Sequence, residues 1–332
     1  MNNIQLDTSE LELKLEITDR CNSKCTFCHH GDIRLQKTTA MLFSTAARWF
    51  DWAARENIYS IRITGGEPTL HPDLEQICRH AQSKGLFVSL NTNGFGKKAL
   101  YRKIFPVIDE IKVSLPHPHP ESLDRLTGIK NSLKKKLETI TSAVECGLKA
   151  EILSAMVPEN IGLLEEYVLF VKDIPRLSWC PLRVEPSPEN RRPISRLQLQ
   201  TLAEEIKHCT QKYPELNLKL RLATPFCAVK PIELGAEVLR GRGEDCGPFK
   251  SLTVDTSGEL ISCYSCRNPI KLCESLEAIQ QDKEFVSLAS LESLPIKCRE
   301  CAYVERCMGG CSSPFAVVSS GGGRIDYLAE DK

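Results

Sequence analysis

Three cysteines lie close together near the start of the chain, in the segment "CNSKCTFC" at residues 21–28. Cys21, Cys25 and Cys28 give the spacing C-x3-C-x2-C. A cubane iron–sulfur cluster usually takes four cysteines, so three thiolates leave one iron with an open position for a bidentate ligand. A structural zinc site with the same spacing is the alternative interpretation.

A second group of cysteines lies in the C-terminal third, where nine of the sixteen cysteines fall between residues 227 and 311. The last four have the spacing C-x2-C-x5-C-x3-C. In a reducing compartment, clustered cysteines bind metal more often than they form disulfides. A zinc knuckle is again the alternative. The candidate ligands of this group are Cys246, Cys263, Cys298, Cys301, Cys307 and Cys311.

The segment "ITGGEPTLHPD" at 63–73 combines two glycines with an acidic residue. Gly65 and Gly66 would let the backbone approach a ligand closely. Glu67 offers a carboxylate that can form a charge-assisted contact with an ammonium group. This stretch is therefore a candidate ligand-binding turn.

The elements that must position these residues alternate between strand and helix up to about residue 222. Strand-then-helix repetition predicts a parallel sheet, and six units predict a partial (β/α)6 barrel. Both candidate segments follow strands, at the end where barrel enzymes place their sites. The predicted strands are 11–18, 59–64, 86–92, 108–115, 149–157 and 177–185, and the predicted helices are 43–56, 73–84, 97–105, 120–126, 132–146, 160–172 and 195–211.

Periodicity weakens after about residue 223, which predicts a barrel domain at 1–222 and a smaller cysteine-rich domain at 223–332. A hairpin is predicted in "FKSLTVDTSGELISC", with Ser257-Gly258 at its turn. Two further stretches, 240–245 and 319–326, read as loops.

Composition narrows the function class. The formal net charge is zero, from 43 basic and 43 acidic residues, which argues against a nucleic-acid partner. The chain shows no signal peptide and no apolar run of the roughly 18 residues that a spanning helix needs. We therefore expect no membrane association and a cytoplasmic location.

Together, "CNSKCTFC" after the strand "LKLEITDR" and "TGGEP" after the next strand resemble the radical SAM superfamily. The resemblance implies S-adenosylmethionine (SAM) and a [4Fe-4S] cluster held by Cys21, Cys25 and Cys28. It also implies that the GGEP motif binds the amino group of SAM, that Ser114 contacts the ribose and that the "SAMVPEN" stretch lies near the adenine. The implied cofactor-binding residues are Phe27, Gly65, Gly66, Glu67, Asn91, Asn93, Ser114 and Met156.

The later cysteines resemble the SPASM extension, which carries auxiliary [4Fe-4S] clusters. The resemblance implies one cluster on Cys246, Cys263 and Cys311 and another on Cys298, Cys301 and Cys307, but the further cysteine expected after Cys311 is missing. The first cluster could be completed by Cys227, Cys266 or Cys273, and the second by Asp326 or by substrate. A single cluster on Cys246, Cys263, Cys298 and Cys301 is the other possibility.

The implied activity is reductive cleavage of SAM to a 5′-deoxyadenosyl radical, which abstracts hydrogen from a substrate. Auxiliary clusters accepting an electron would give an oxidation, by dehydrogenation or bond formation. A thiol returning hydrogen would give an epimerisation, with Cys227 or Cys266 as the candidate donor. The expected reducing partner is a flavodoxin or ferredoxin.

The substrate is less constrained. Only about 20 residues precede the first cysteine, which favours a compact natural-product or sugar-like substrate over a peptide. A ribosomal-peptide maturase that forms a crosslink, with its peptide delivered by a separate protein, is the alternative. Molybdenum-cofactor cyclases share "TDRCN" and "TGGEP", but they end in Gly-Gly whereas this chain ends "LAEDK". An iron–sulfur or zinc binding module is the non-enzyme alternative.

Overall fold

The fold is described from a computed structural model. The structure describes residues 6–28, 39–184, 186, 193–216, 218, 223–229, 241–245, 250–265, 267–313, 316–320 and 323–329.

Within the described ranges, eight strands form one sheet in the order β6-β5-β4-β3-β2-β1-β7-β8, and β9 and β10 form a separate hairpin. The first six strands are parallel and alternate with helices, which confirms the predicted partial barrel. The strands are β1 Glu12–Glu16, β2 Ser60–Thr64, β3 Phe87–Thr92, β4 Glu110–Ser114, β5 Lys149–Met156, β6 Leu177–Arg183, β7 Ser251–Val254, β8 Leu260–Ile261, β9 Val317–Ser320 and β10 Gly323–Asp326.

The helices of the barrel cover the outer face of the sheet, and shorter helices follow in the C-terminal part. In the described residues they are α1 Phe43–Arg55, α2 Leu74–Ser83, α3 Lys98–Ile104, α4 Pro120–Thr127, α5 Ser132–Glu145, α6 Leu164–Val171, α7 Arg196–Lys212, α8 Arg242–Asp245, α9 Leu276–Gln281, α10 Lys283–Ala289, α11 Ile296–Arg299 and α12 Val304–Cys307. None of these described helices is both long enough and apolar enough to cross a bilayer.

The two faces of the barrel sheet differ in chemistry because side chains alternate along a strand. Leu13 and Leu15 of β1 are fully buried among the helices, on the outer face. The inner face carries buried charges that pair with each other. An Arg62 guanidinium nitrogen lies 2.8 Å from a Glu12 carboxylate oxygen, and the Lys112 ammonium lies 2.9 Å from the Glu151 carboxylate.

The predicted 249–263 hairpin is present as β7 and β8, which pair antiparallel. It also extends the barrel sheet, because β7 pairs parallel with β1. Helix α1 fixes this junction: the Trp49 indole donates to the Gly258 carbonyl at 3.1 Å and the Trp52 indole to the Glu274 carbonyl at 3.2 Å.

Two segments expected to be loops are ordered elements instead, and those expectations were wrong. Residues 240–245 contain helix α8, which packs against α12. Residues 319–326 contain most of the β9–β10 hairpin, because Ile325 and Asp326 of β10 are buried, and burial overrides the turn-forming glycines.

Candidate active site

The cysteine loop begins where β1 ends and is fixed by backbone hydrogen bonds. The Ile17 N–H donates to the Thr64 carbonyl at 3.0 Å, which holds the end of β1 to the end of β2. Farther along, the N–H groups of Lys24 and Thr26 each donate at 2.9 Å to carbonyls in the last turn of α4. The loop therefore takes its position from the ends of two strands and one helix.

The three thiols of this loop lie close enough to influence one another. Burial raises the pKa of the Cys25 thiol to about 12, and the charges of Cys28 and Cys21 act in the same direction. A cationic iron–sulfur core would offset this repulsion and hold all three as thiolates. The three residues fit the cluster that the motif implies. Among the described residues, no three His, Cys, Asp or Glu side chains are arranged to hold a single metal ion.

The two glycines of the GGEP turn lie directly against the backbone before the first cysteine. A Cβ atom on Gly66 would lie 2.2 Å from the Arg20 carbonyl oxygen, and one on Gly65 would lie 2.5 Å from the Thr18 carbonyl oxygen. Gly65 also has a φ of +142°, which side-chain-bearing residues rarely adopt. Only glycine allows the turn and the cysteine loop to approach this closely.

The Glu67 side chain has internal partners. Its carboxylate accepts hydrogen bonds from the Thr69 N–H and hydroxyl at 3.0 and 2.6 Å, from the Thr92 hydroxyl at 2.7 Å and from the Asn93 N–H at 2.7 Å. Glu67 is fully buried. The carboxylate thus ties the GGEP turn to the end of β3. The predicted contact between Glu67 and the amino group of SAM stays a prediction.

Asn91 and Asn93 lie at the carboxyl end of β3 but have different surroundings. The Asn93 amide donates to the Asn22 side chain at 2.6 Å and to the Ser23 hydroxyl at 3.0 Å, so it supports the cysteine loop. Asn91 pairs in register with Lys112 on the inner face. Its amide oxygen is buried and has no hydrogen-bond partner in the part of the chain that the structure describes. That oxygen is available to a ligand bound in the barrel.

The remaining predicted cofactor residues lie at the same end of the barrel. Ser114 is the last residue of β4 and Met156 is the last residue of β5, where it is fully buried. Phe27 is half-buried in the cysteine loop. Their roles toward SAM stay predictions.

Lys136 is a residue at this site that sequence reasoning missed. Its ammonium donates to the Asn93 carbonyl at 2.6 Å and to the Ser114 carbonyl at 2.7 Å. Burial lowers its pKa from 10.5 to about 8, while the charges of Cys25, Glu67 and Cys21 oppose the shift. The run "LKKKLE" reads as a solvated face, but Lys136 falls at the helical spacing of the buried residues Ser132 and Ile140.

Two histidines follow β4 in the segment "PHPHP". His117 is buried, and its Nδ1 accepts a hydrogen bond from the His119 N–H at 3.0 Å. His119 in turn pairs with the Glu166 carboxylate on α6. His117 and His119 therefore connect the segment that follows β4 to helix α6.

The later cysteines are brought together by short helices. Cys298 lies in α11, Cys301 follows it, and Cys307 ends α12. Cys227 lies in the 3-10 turn Phe226–Ala228, and the neighbouring Phe226 N–H points to the Cys307 sulfur at 3.4 Å. The structure therefore brings Cys227 to this group, whereas the sequence suggested it as a completing ligand for the other cluster.

Cys311 is buried and is held by an ion pair between the two parts of the chain. The Asp326 carboxylate accepts the Cys311 N–H at 2.8 Å, and it receives two hydrogen bonds from Arg183 of β6, at 2.6 and 2.9 Å. It also accepts the Leu328 N–H at 2.9 Å. With both oxygens engaged, Asp326 orients Cys311 and is not placed to ligate iron, contrary to the suggestion from sequence.

Of the other predicted ligands, Cys263 is half-buried after β8, and Cys246 lies outside the described residues, as does the candidate hydrogen donor Cys266. The turn after Cys263 is attached to the barrel through Arg267, whose guanidinium lies 3.1 Å from the buried Glu16 carboxylate at the end of β1.

The comparisons with known proteins agree with this geometry. Residues 15–171, which contain the cysteine loop, the GGEP turn and Lys136, match the model of the radical SAM superfamily. Residues 15–171 therefore form a radical SAM domain. Members of this superfamily bind SAM and a [4Fe-4S] cluster.

A probable GTP 3′,8-cyclase of Saccharolobus islandicus is 37% identical over 144 residues, which are 41% of this chain and 44% of the relative. The chain thus spans under half the length of the curated relatives that it matches over this region. The PqqA peptide cyclase of Ruegeria pomeroyi is 24% identical over 313 residues, covering 89% of this chain and 80% of that protein.

Among solved structures, Streptococcus suis SuiB with S-adenosylmethionine bound has a TM-score of 0.76 at 18% identity, covering 96% of this chain and 77% of SuiB. The same protein solved with its precursor peptide SuiA bound has a TM-score of 0.75. At this identity the likeness establishes a common fold that extends through the C-terminal cysteine region.

Proposed function

We propose that this radical SAM enzyme oxidises a peptide, as a maturase that forms a crosslink or another new bond. The observation that supports this most is the similarity to the PqqA peptide cyclase, because it runs through 89% of the chain. The similarity to the GTP cyclase covers only 41% of the chain. The compact, sugar-like substrate favoured from sequence has no comparable support.

Each part of the site has a role in this proposal. Cys21, Cys25 and Cys28 would hold the cluster, and Gly65 and Gly66 let the GGEP turn, which would bind SAM, pack against the cysteine loop. The Asn91 amide oxygen faces the barrel interior and would accept a hydrogen bond from a bound ligand. Once bound, the cluster and SAM supply the 5′-deoxyadenosyl radical that abstracts hydrogen from the substrate.

The barrel interior favours the entry of one side chain rather than a whole small molecule. Arg62 pairs with Glu12, and Lys112 pairs with Glu110 and Glu151, so the lower part of the interior is occupied by paired charges. Breaking such pairs for a ligand would leave uncompensated buried charge. The space left lies at the carboxyl ends of the strands, where a peptide segment can present one residue.

Two assays test this proposal. Reconstituted protein given SAM and dithionite should release 5′-deoxyadenosine, and the variant with Cys21, Cys25 and Cys28 all replaced by alanine should release none. The protein should then be co-expressed with each short open reading frame that lies beside its own gene. The masses of the resulting peptides should be measured by mass spectrometry. A peptide lighter by two hydrogens is the expected product.

The outcomes separate the two parts of the proposal. Equal 5′-deoxyadenosine from wild type and the triple variant would overturn the radical SAM assignment of these cysteines. If 5′-deoxyadenosine forms but every peptide keeps its mass, the oxidative maturase assignment is wrong. A peptide of unchanged mass that carries one solvent deuterium would indicate epimerisation instead.

A further inference from the structure

We propose that Cys227 is the fourth thiolate of a cluster site that it forms with Cys298, Cys301 and Cys307. The inference rests on the proposed function only in taking the bound group to be an iron–sulfur cluster. It gives the C-x2-C-x5-C run a complete set of four ligands although the sequence has no cysteine after Cys311.

The segment that carries Cys227 is packed onto the helix that ends at Cys307. The Phe226 N–H points to the Cys307 sulfur at 3.4 Å. The Phe226 ring meets the Tyr303 ring edge-on, with the centroids 5.8 Å apart, and the Arg306 guanidinium lies 5.2 Å from the Phe226 ring centroid. These contacts bring the 3-10 turn Phe226–Ala228 and helix α12 together, so Cys227 and Cys307 belong to one local structure.

Backbone hydrogen bonds hold the other cysteines next to this turn. The Cys301 N–H donates to the Cys298 carbonyl at 3.2 Å, and the Val304 N–H donates to the Cys301 carbonyl at 3.0 Å. Cys298 and Cys301 therefore lie on a continuous run of turns that leads into helix α12, where the segment that carries Cys227 packs.

Two of the other residues suggested as completing ligands, Asp326 and Cys273, have different neighbours; Cys266 lies outside the described residues. Asp326 uses both carboxylate oxygens to bind Arg183 and the Cys311 and Leu328 N–H groups. Cys273 lies next to Glu274, whose carbonyl accepts the Trp52 indole of helix α1. Neither is engaged with α11 or α12 in these contacts, whereas the turn that carries Cys227 packs against α12.

This assignment gives Cys227 a role different from the hydrogen donor suggested by the sequence. A thiolate bound to iron carries no hydrogen to return to a substrate radical, so one residue cannot serve both roles at once. If Cys227 is a ligand, an epimerisation would have to draw its hydrogen from another thiol.

Iron analysis tests the inference without relying on activity. The background is the variant with Cys21, Cys25 and Cys28 replaced by alanine, so that all bound iron belongs to auxiliary sites. In this background, Cys227→Ala should lose about four irons per chain after anaerobic reconstitution, or lose about one and show the electron paramagnetic resonance signal of a three-iron cluster. Cys298→Ala should lose the same iron.

Cys146→Ala is the matched control, because Cys146 is an exposed cysteine that lies in the barrel domain, and its iron content should not change. Full iron content and an unchanged spectrum in Cys227→Ala would overturn the inference. So would a background variant that binds no iron, since no auxiliary site would then exist. Neither result depends on 5′-deoxyadenosine formation by the wild type, which tests the proposed function separately.

Discussion

The cysteine loop after β1 and the later cysteines are fixed by different kinds of contact. Backbone hydrogen bonds tie the first loop to the ends of β1, β2 and α4, which are parts of the regular barrel. The later cysteines depend on side-chain pairs between segments far apart in sequence. Arg183 holds Asp326 beneath Cys311, and Glu244 holds Arg306 beside Cys307.

In both regions a glycine lies in close contact with the backbone of the cysteine segment. A Cβ on Gly66 would lie 2.2 Å from the Arg20 carbonyl oxygen, and a Cβ on Gly241 would lie 2.1 Å from the Arg306 carbonyl oxygen. Close backbone approach is thus common to both. The two regions differ in what surrounds this contact. The regular strands and helices of the barrel support the first cysteine loop, whereas a few side-chain ion pairs support the later cysteines.

This difference predicts that single side-chain changes disturb the later region most. A regular element distributes its stabilisation over many backbone hydrogen bonds, so the loss of one side chain there removes a small share. A buried ion pair concentrates stabilisation in two side chains, because removing one partner leaves the other charged and uncompensated.

The largest effect is expected for Asp326→Ala. Both side chains of the Arg183–Asp326 pair are fully buried, so the change leaves a buried guanidinium without its partner and should lower the free energy of unfolding by about 3–5 kcal/mol. Urea unfolding measures this. The iron that we predict to bind at Cys311 should fall as well, because the Cys311 N–H loses its acceptor.

Glu75→Ala is the matched control for this prediction. The Glu75–Arg79 pair also has two hydrogen bonds, both to one carboxylate oxygen, but it lies on the surface of α2 with its arginine more than half exposed. Its loss should therefore lower the free energy of unfolding far less than Asp326→Ala does. If Asp326→Ala unfolds at the same urea concentration as Glu75→Ala, the later region is not held by this pair.

The same contrast explains which features the sequence could predict. The six barrel strands and their helices follow from hydrophobic periodicity, and the predicted strand "YSIRIT" differs from β2 by one residue. The cysteine loop and the GGEP turn were placed correctly because each follows a strand. These features depend on local pattern, which a single sequence carries.

The features that escaped prediction depend on distant pairings. Nothing near residue 183 indicates that its arginine will meet Asp326, 143 positions away in the chain. The parallel pairing of β7 with β1 likewise joins segments over two hundred residues apart. Lys136 had a weak signal in its helical spacing, but a lysine within "KKK" is ordinarily a solvated residue.

A smaller effect, in the first region, is expected for Glu67→Ala. Four donors lose their acceptor, from Thr69, Thr92 and Asn93, and the free energy of unfolding of the protein without cofactor should fall by about 3 kcal/mol. Affinity for SAM should fall too, since the turn that carries Gly65 and Gly66 loosens. Calorimetric titration with SAM, beside urea unfolding, measures both quantities.

The two roles of Glu67 give different results. A carboxylate that only contacts the amino group of SAM would weaken SAM binding in Glu67→Ala and leave the stability of the cofactor-free protein unchanged. That outcome would contradict the role assigned from the hydrogen bonds. Glu67→Gln keeps the shape of the side chain but places an amide NH2 toward donors, so its loss of stability should be smaller than that of Glu67→Ala and still measurable.

The smallest effect concerns pH and Lys136. The unfolded chain keeps the Lys136 proton up to about pH 10.5, whereas the folded chain releases it near pH 8, because burial lowers this pKa. The unfolded state therefore binds more protons between these values, and the free energy of unfolding should rise as the pH rises through this window. Relative to Lys136→Met, the cofactor-free wild type should gain about 2 kcal/mol between pH 7.5 and 9.5.

Lys135→Met, which removes the exposed neighbour, should leave the pH slope of the wild type unchanged. Stability curves for wild type and Lys136→Met that run parallel over this range would show that Lys136 keeps an ordinary pKa and that its burial carries no electrostatic cost.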